Sequence, residues 1–449
     1  MPAPASDSPD QRLTAAHWIL LSILAAVQVT HIVDFMILMP LATKLQADLH
    51  ISMRQFSVLI AAYGFSAAIF GVAVASLLDR FDRKTALLYL YAGFTAGTAV
   101  CAFAPDYWTL LVGRVLAGGF GGVVASVVLA IVGDAFPPSR RGTAMGVVWS
   151  GFSVASVAGV PVGLLLAQTS WGWRAPFGAL AVASVGLFIF AWLTLPTVRG
   201  HLGGDHGPTA LWDIATKPSH LRAYAFMLLL VFSTFMVIPY IAAFLVNNVG
   251  IHEDQLYLVY LTGGAATLIS MNIVGRLSDR FSRLVVFRML AAVALLTIFG
   301  LTNLPAGSSL IVVLLGTTAM MVFTSGRMVP GMAMIASVSK PRDRGSFLSI
   351  NSSVQQFAAG LASYLGGRIL GDTGGTEPIV GFPLVGVIAC AAGLMSLVMV
   401  GTLRAAPGEG VHTPELDFVA GAEAIQTTGA TVVPMPPPSD FSDVVAREG

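Results

Sequence analysis

Charge is scarce in this sequence. Only 10% of its 449 residues are Asp, Glu, Lys or Arg, whereas soluble domains carry about a quarter. With 55% apolar residues and a mean hydropathy of +0.80, the chain has too little polar surface for a soluble globule, and composition implies repeated membrane crossing. The formal net charge of +1 excludes the concentrated basic face that nucleic-acid binding needs. Cysteine is almost absent. Cys101 and Cys390 both lie in apolar runs, which argues against a disulfide framework, a redox pair or a thiolate metal site. No nucleotide-binding loop and no pairing of nucleophile with base is visible, so the expectation is no enzyme and no cofactor, with energy drawn from a proton gradient. His201, His206 and His220 fall in a glycine-bearing stretch without cysteines and read as a solvated loop, not a metal site.

What the chain has in abundance is long hydrophobic runs. Twelve are long enough to span, at roughly 20 residues per crossing: 17–43, 54–78, 84–104, 107–135, 142–167, 173–195, 223–247, 255–277, 284–303, 309–337, 345–368 and 378–402. Residues 1–16 are Pro/Ser/Ala-rich and read as a disordered leader, and 404–449 as a disordered polar tail with the run MPPPSDF. If the N-terminus is cytoplasmic, about eighteen of the 24 lysines and arginines fall in inward-facing segments, and only Lys44, Arg54, Arg174 and Arg368 face out. That asymmetry puts both termini in the cytoplasm of a multi-pass inner (plasma) membrane protein, with 196–222 as a cytoplasmic linker.

One tripeptide occurs twice. Asp79-Arg80-Phe81 and Asp279-Arg280-Phe281 each sit at the inner end of an apolar run, and such a duplication marks two related membrane halves. The stretches PPSRRG at 137–142 and KPRDRG at 340–345 repeat the correspondence, each leading into a Gly/Ser/Ala-rich span. With these features the chain resembles the major facilitator superfamily of secondary transporters. The family's loop motif, Gly-x-x-x-Asp-Arg-x-Gly-Arg-Lys/Arg, is matched by Asp79, Arg80, Arg83 and Lys84, with Ala75 and Asp82 where glycines are usual. The second copy keeps Gly275, Asp279, Arg280 and Arg283. Arg114 and Gly118 are similar to the family's Arg-x-x-x-Gly motif, and Gly159, Pro161 and Gly163 resemble its antiporter signature. Asp34 followed by Pro40 resembles the drug/proton antiporter (arabinose-efflux-like) branch.

The resemblance implies an all-α polytopic fold of twelve transmembrane helices in two six-helix pseudo-symmetric halves, here 17–195 and 223–403. Asp79 and Asp279 at helix ends can accept hydrogen bonds from a neighbouring helix start, while Arg80, Arg83, Arg280 and Arg283 reach carboxylates or lipid phosphates. These residues are expected to gate. Gly275 belongs to the second copy of the same motif.

Only Asp34, Arg114 and Arg327 place permanent charge deep within spans, where each costs about 2.5–3.5 kcal/mol on insertion scales and marks a functional candidate. In the family fold the first, fourth, seventh and tenth helices line the cavity, and these three residues fall on three of them. At 1.5 Å per residue, Asp34 lies about 15 Å and Arg114 about 10 Å from the outer ends of their helices, while Arg327 lies roughly 16 Å from the inner end of its own. Depth therefore pairs Asp34 with Arg114 for proton coupling and leaves Arg327 to the substrate. Desolvation favours the neutral acid and a nearby guanidinium favours the carboxylate, so a shift between them moves a proton. A static ion pair that lets polar helices pack is the alternative. His31, one turn before Asp34, could relay protons or simply pack.

Gln28, Phe35, Tyr63, Phe232, Phe235, Tyr240, Met328, Asn351 and Gln355 combine aromatic or thioether surface with polar groups, as a pocket for an amphipathic molecule does. Asn351 and Gln355, an i, i+4 polar pair, are costly against lipid. The resulting expectation is a monomeric, lipid-embedded transporter that exchanges a small amphipathic or drug-like compound for protons by alternating access. Proton symport of an organic anion is a second reading, because arginines outnumber acids within the spans. A non-transporting sensor or lipid-binding protein is a third.

Overall fold

The computed structural model describes residues 14–78, 81–136, 138–196, 209–340, 343–372 and 377–406. Its long helices are α1 (Ala15–Ile37), α2 (Met53–Leu78), α3 (Arg83–Ala102), α4 (Tyr107–Ala135), α5 (Pro138–Val154), α6 (Arg174–Thr194), α7 (Pro218–Phe235), α8 (Leu256–Arg280), α9 (Arg283–Thr302), α10 (Leu310–Gly326), α11 (Arg344–Leu370) and α12 (Phe382–Met399). Eleven described segments are long and apolar enough to cross a membrane. The twelfth expected span corresponds to α11, whose 27 residues suffice in length. Its sequence includes Asn351, Gln355 and Gln356, which lower its hydropathy, and it is shielded by packing along α2.

Several spans are broken where the sequence reading ran them straight. Pro40 and Pro239 lack a backbone donor, and each opens a 3-10 turn, Met39–Leu41 and Ile238–Tyr240, after α1 and α7. The chain then continues as short helices, Ala42–Leu49 and Ile241–Phe244. α5 passes through a π turn at Ala155–Gly159 into the helix Val160–Leu166. α10 stops at Gly326, and Met328–Val338 resumes after Arg327. The stretch 196–222, read as a linker, holds the helix Thr209–Thr216, and α7 already begins at Pro218. Residues 1–13, 197–208 and 407–449 of the expected leader, linker and tail lie outside the described residues, as do Asp79 and Arg80.

Helix ends follow local chemistry. Thr14 and His17 form a capping box on α1. Asp106 caps α4 by accepting from the Thr109 amide at 2.8 Å, a bond that holds its carboxyl below the ordinary range. Gly250, at φ 91°, ends the segment that continues α7, a conformation that β-carbon-bearing residues rarely adopt. Exposed Trp108 and Trp171 mark one end of the bundle and exposed Trp18, Trp192 and Trp212 the other, as amphipathic rings do at membrane interfaces.

The halves meet through small residues. A methyl on Gly64 of α2 would lie 2.7 Å from the Gln356 carbonyl and 2.9 Å from the Gly360 nitrogen of α11. Gly264 of α8 is as close to the Ser156 carbonyl in the π turn, at 2.8 Å. Such contacts let backbones approach where hydrophobic driving force is lacking. One apolar core joins both halves on the side away from the termini, including Ile37, Leu41, Met236, Tyr240 and Phe244. On the terminal side there are two cores, one confined to residues 20–195 and one to 214–403. Arg54 donates its amide to the Gly371 carbonyl at 3.2 Å, and Ser52 Oγ donates to Asp372 at 3.3 Å. The halves are therefore joined by one core on the far, sealed side and keep separate cores on the terminal, parted side. Gly64→Val should force α2 and α11 apart at a cost of about 1–3 kcal/mol, read as a lower Tm of the purified protein in detergent; an unchanged Tm would contradict this packing.

Candidate functional site

Within the N-terminal half, α1, α2, α3 and α4 bring a polar cluster into an apolar interior. Arg114 Nη1 donates to Asp34 Oδ2 at 2.9 Å, and both side chains are fully buried. The same nitrogen donates to the Asp34 backbone carbonyl at 3.1 Å. That carbonyl lies in the last turn of α1, where helix carbonyls run out of amide partners. Thr98 Oγ1 of α3 donates to Asp34 Oδ1 at 3.0 Å. The guanidinium also sits 4.4 Å from the centre of the Tyr63 ring, a favourable cation–π contact when desolvated.

Next to the ion pair, His31, Tyr63 and Phe94 converge on Gly121. A methyl there would come within 2.8 Å of the His31 ring and 3.0 Å of both Phe94 and the Tyr63 hydroxyl. Neither His31 nitrogen, nor the Tyr63 hydroxyl, nor Gln28 Oε1 has a hydrogen-bond partner among the described residues. Buried polar atoms of this kind are commonly bridged by water. The depth expectation pairing Asp34 with Arg114 matches the geometry. Tyr63, grouped by sequence with the substrate residues, instead packs against the ion pair.

The antiporter-like residues act beside this cluster. Gly159 closes the π turn against Val33, and Gly163 packs against Ile37, one residue before and three residues after Asp34 on α1. Pro161 lies near the start of the Val160–Leu166 helix. A π turn adjoining a functional helix is a recurrent device for adjusting register.

Other candidates separate by location. Phe35 meets Phe235 across the two halves at 5.7 Å and Tyr63 at 5.2 Å. Tyr240 is fully buried and bonds the Ser363 carbonyl, so it belongs to the sealed side. Asn351 is fully buried with both amide atoms unpartnered among the described residues. Gln355 Nε2 lies 3.9 Å from Met332 Sδ, while Phe232 and Met328 are half-buried. Arg327 is fully buried, donating to Thr234 Oγ1 at 2.9 Å and Ser233 Oγ at 3.3 Å. It makes no contact with the Asp34 pair.

The gate residues divide unequally. Arg83 Nε bonds Asp134 Oδ2 at 2.9 Å, and Lys84 donates to the Leu195 carbonyl at 2.6 Å, tying α3 to the ends of α4 and α6. In the second copy Asp279 and Arg280 are exposed, and neither they nor Arg283 make an ion pair with a described residue. A methyl on Gly275 would meet nothing within 4 Å. Among the described residues, none of the expected hydrogen bonds from a neighbouring helix reaches Asp279. Sequence reading missed Thr98, Asp134, Ser233 and Thr234. Asp134, an acid at the end of a span, was a readable signal, whereas the hydroxyls are indistinguishable from many others in these helices.

Known proteins are similar to this chain in sequence and fold. The profile of the Major Facilitator Superfamily matches residues 24–326 and 223–434. The transcription regulatory protein OpdE of Pseudomonas aeruginosa is 29% identical over 325 residues, covering 70% of this chain and 78% of that protein. A chloramphenicol resistance protein of Streptomyces lividans is 28% identical over 54% of this chain and 62% of its own length. Among solved structures, a bacterial homologue of the human lysosomal transporter Spinster, inward-facing and unoccupied, superposes with a TM-score of 0.69 at 16% identity, covering 88% of this chain and all (100%) of that one. The chain belongs to the Major Facilitator Superfamily.

Arg114→Met should cost about 3–5 kcal/mol by leaving the Asp34 carboxylate buried and unpaired. The Asp34→Leu/Arg114→Met double variant should recover most of that loss. Thermal denaturation of the purified variants reads both, and a double variant no more stable than the single would contradict a pairwise interaction. Asp134→Asn should slow turnover more than Asp279→Ala in a transport assay, because only the former has a partner to lose.

Proposed function

We propose that this chain, as a member of that superfamily, is a proton-coupled secondary transporter that exports a small amphipathic organic compound by antiport. The fully buried Asp34–Arg114 pair, braced by Thr98, carries this reading. A charge pair fully buried within membrane helices is costly and marks a functional site by default. When a proton neutralises the Asp34 carboxylate, the attraction holding Arg114 is lost. Thr98 can then accept from the acid where it had donated to the anion, and Arg114 remains held by the Asp34 carbonyl and the Tyr63 ring. α1 then keeps the carbonyl bond to Arg114 in place of the ion pair, a looser tie that lets it shift against α4 and, through Val33 and Ile37, against the π turn and the Val160–Leu166 helix.

The compound would occupy the parting between the two terminal-side cores. The half-buried Phe35, Phe235, Met328 and Gln355 offer mixed aromatic, thioether and amide surface, suited to an amphipathic molecule. The lysine and arginine distribution supports cytoplasmic termini in the inner membrane, which makes the parted side the inward-facing one. Resistance to a small drug-like compound, in the name of the Streptomyces relative, fits export. Membrane potential adds about 2.3 kcal/mol per charge per 100 mV to inward proton movement. No catalytic step is required, and the transporter is proposed to work as a monomer.

Two other readings have a specific observation behind them. Arg327, without a carboxylate partner among the described residues, favours symport of an organic anion, and the name of the Pseudomonas relative favours a regulatory membrane sensor. Everted vesicles separate the three. Acidification-driven accumulation supports export, substrate-induced proton uptake in right-side-out vesicles supports import, and neither supports a sensor. In proteoliposomes Asp34→Asn should reduce proton-driven transport at least about 100-fold, equivalent to about 2.7 kcal/mol, while leaving substrate exchange without a gradient. Intact proton-driven transport in that variant would overturn the coupling role.

A further inference from the structure

The C-terminal half buries a positive charge that its described residues do not neutralise. Arg327 is fully buried, and among the described residues its ion-pair partners include no carboxylate. Only Nη2 is bonded, to Thr234 and Ser233, whereas Nε and Nη1 have no hydrogen-bond partner among the described residues. Thr234 Oγ1 in turn donates to the Leu230 carbonyl at 3.2 Å, so it meets the guanidinium as an acceptor. Arg327 lies between the last residue of α10 and the first of the Met328–Val338 helix, where the negative end of one helix dipole and the positive end of the next offset each other.

The repeat shows what the site lacks. Pro40 and Pro239 open equivalent 3-10 turns, and the residue six positions earlier is Asp34 in one half and Ser233 in the other. An arginine from the fourth long helix of each half reaches that place: Arg114 finds a carboxylate, and Arg327 finds a hydroxyl. Gly393 of α12 keeps the neighbourhood small. A methyl there would lie 3.6 Å from Nη1 and 2.9 Å from Ser233 Oγ. Guanidinium donors left over beside hydroxyls are the components of sites that bind carboxylates and halides.

We propose that Arg327, Ser233 and Thr234 form a site for a singly charged anionic group, either the carboxylate of the transported compound or a halide ion. The proposal deepens the transporter reading and rests on it only for access, since alternating access is what would open a buried site. The break at Arg327 lets the guanidinium turn as α10 and the Met328–Val338 helix reorient. In this state the hydroxyls hold one nitrogen while the others await the anion.

Thermal unfolding of the purified full-length protein tests the site by intrinsic fluorescence, with sodium chloride, acetate or benzoate titrated against sodium HEPES at constant ionic strength. The expected result is a saturable rise in Tm, absent in Arg327→Gln and retained in Asp34→Asn. A response to chloride identifies a halide site, and a response to acetate or benzoate without one to chloride identifies a substrate carboxylate. Should Arg327→Gln fail to fold, Ser233→Ala/Thr234→Val should weaken the apparent dissociation constant at least about tenfold, a change of about 1.4 kcal/mol. No saturable response to any of the anions, or one unchanged in the Arg327 or hydroxyl variants, overturns the site. Proton-driven transport that survives Asp34→Asn would defeat the coupling role alone, leaving the anion response as an independent result.

Discussion

The absence of water from the hydrocarbon interior governs this molecule. A charge placed there must find its counter-charge and hydrogen bonds within the protein, and Asp34 does so through Arg114 and Thr98. The attraction is strong because the surroundings are apolar, and for the same reason removal of either partner is costly. An ion pair in this setting is a weak source of stability. Its position on α1, between Val33, which touches the π turn, and Ile37, which touches the helix that follows, places it beside the segments that form the interface between halves.

Those interfaces are lightly interlocked. Gly64 and Gly264 bring backbones together without interlocking side chains, and the breaks at Pro40, Pro239 and Arg327 divide three helices into segments. The sealed side shares one core, so its opening must expose apolar surface, whereas the parted side keeps a separate core in each half. Alternating access needs this division, with rigid interiors and a boundary of low interlock. The duplicated loop motif stands at the margin of this machinery. Its first copy is anchored by Arg83 and Asp134, and its second copy is exposed.

Legibility followed the range of the interactions. The helices could be read because apolar length is a local property; α11 blurred because its polar residues are shielded by α2 and not by their own sequence. Asp34, Arg114 and Arg327 were visible because charge within an apolar run is rare, and the Asp34–Arg114 pairing followed from depth. Thr98 was invisible, since hydroxyls recur through these helices and only the approach of α3 to α1 selects one. Tyr63 and Tyr240 read alike, yet one lies against the guanidinium and the other at the sealed end. Side-chain type gave no hint of that difference.

The sequence by itself determined the class: a chain with few charges and two matching halves can persist only as a helical membrane protein, because backbone groups in lipid must be satisfied within each helix. It also determined which residues bear intramembrane charge. Tertiary structure alone decided which of those charges is neutralised. Asp34 and Arg114 come from helices 80 residues apart that pack so that their side chains meet, while Arg327, equally charged and equally buried, is met by hydroxyls. Partnership of that kind depends on helix rotation and approach, which arise from the packing of all the helices together and are written in no single one of them.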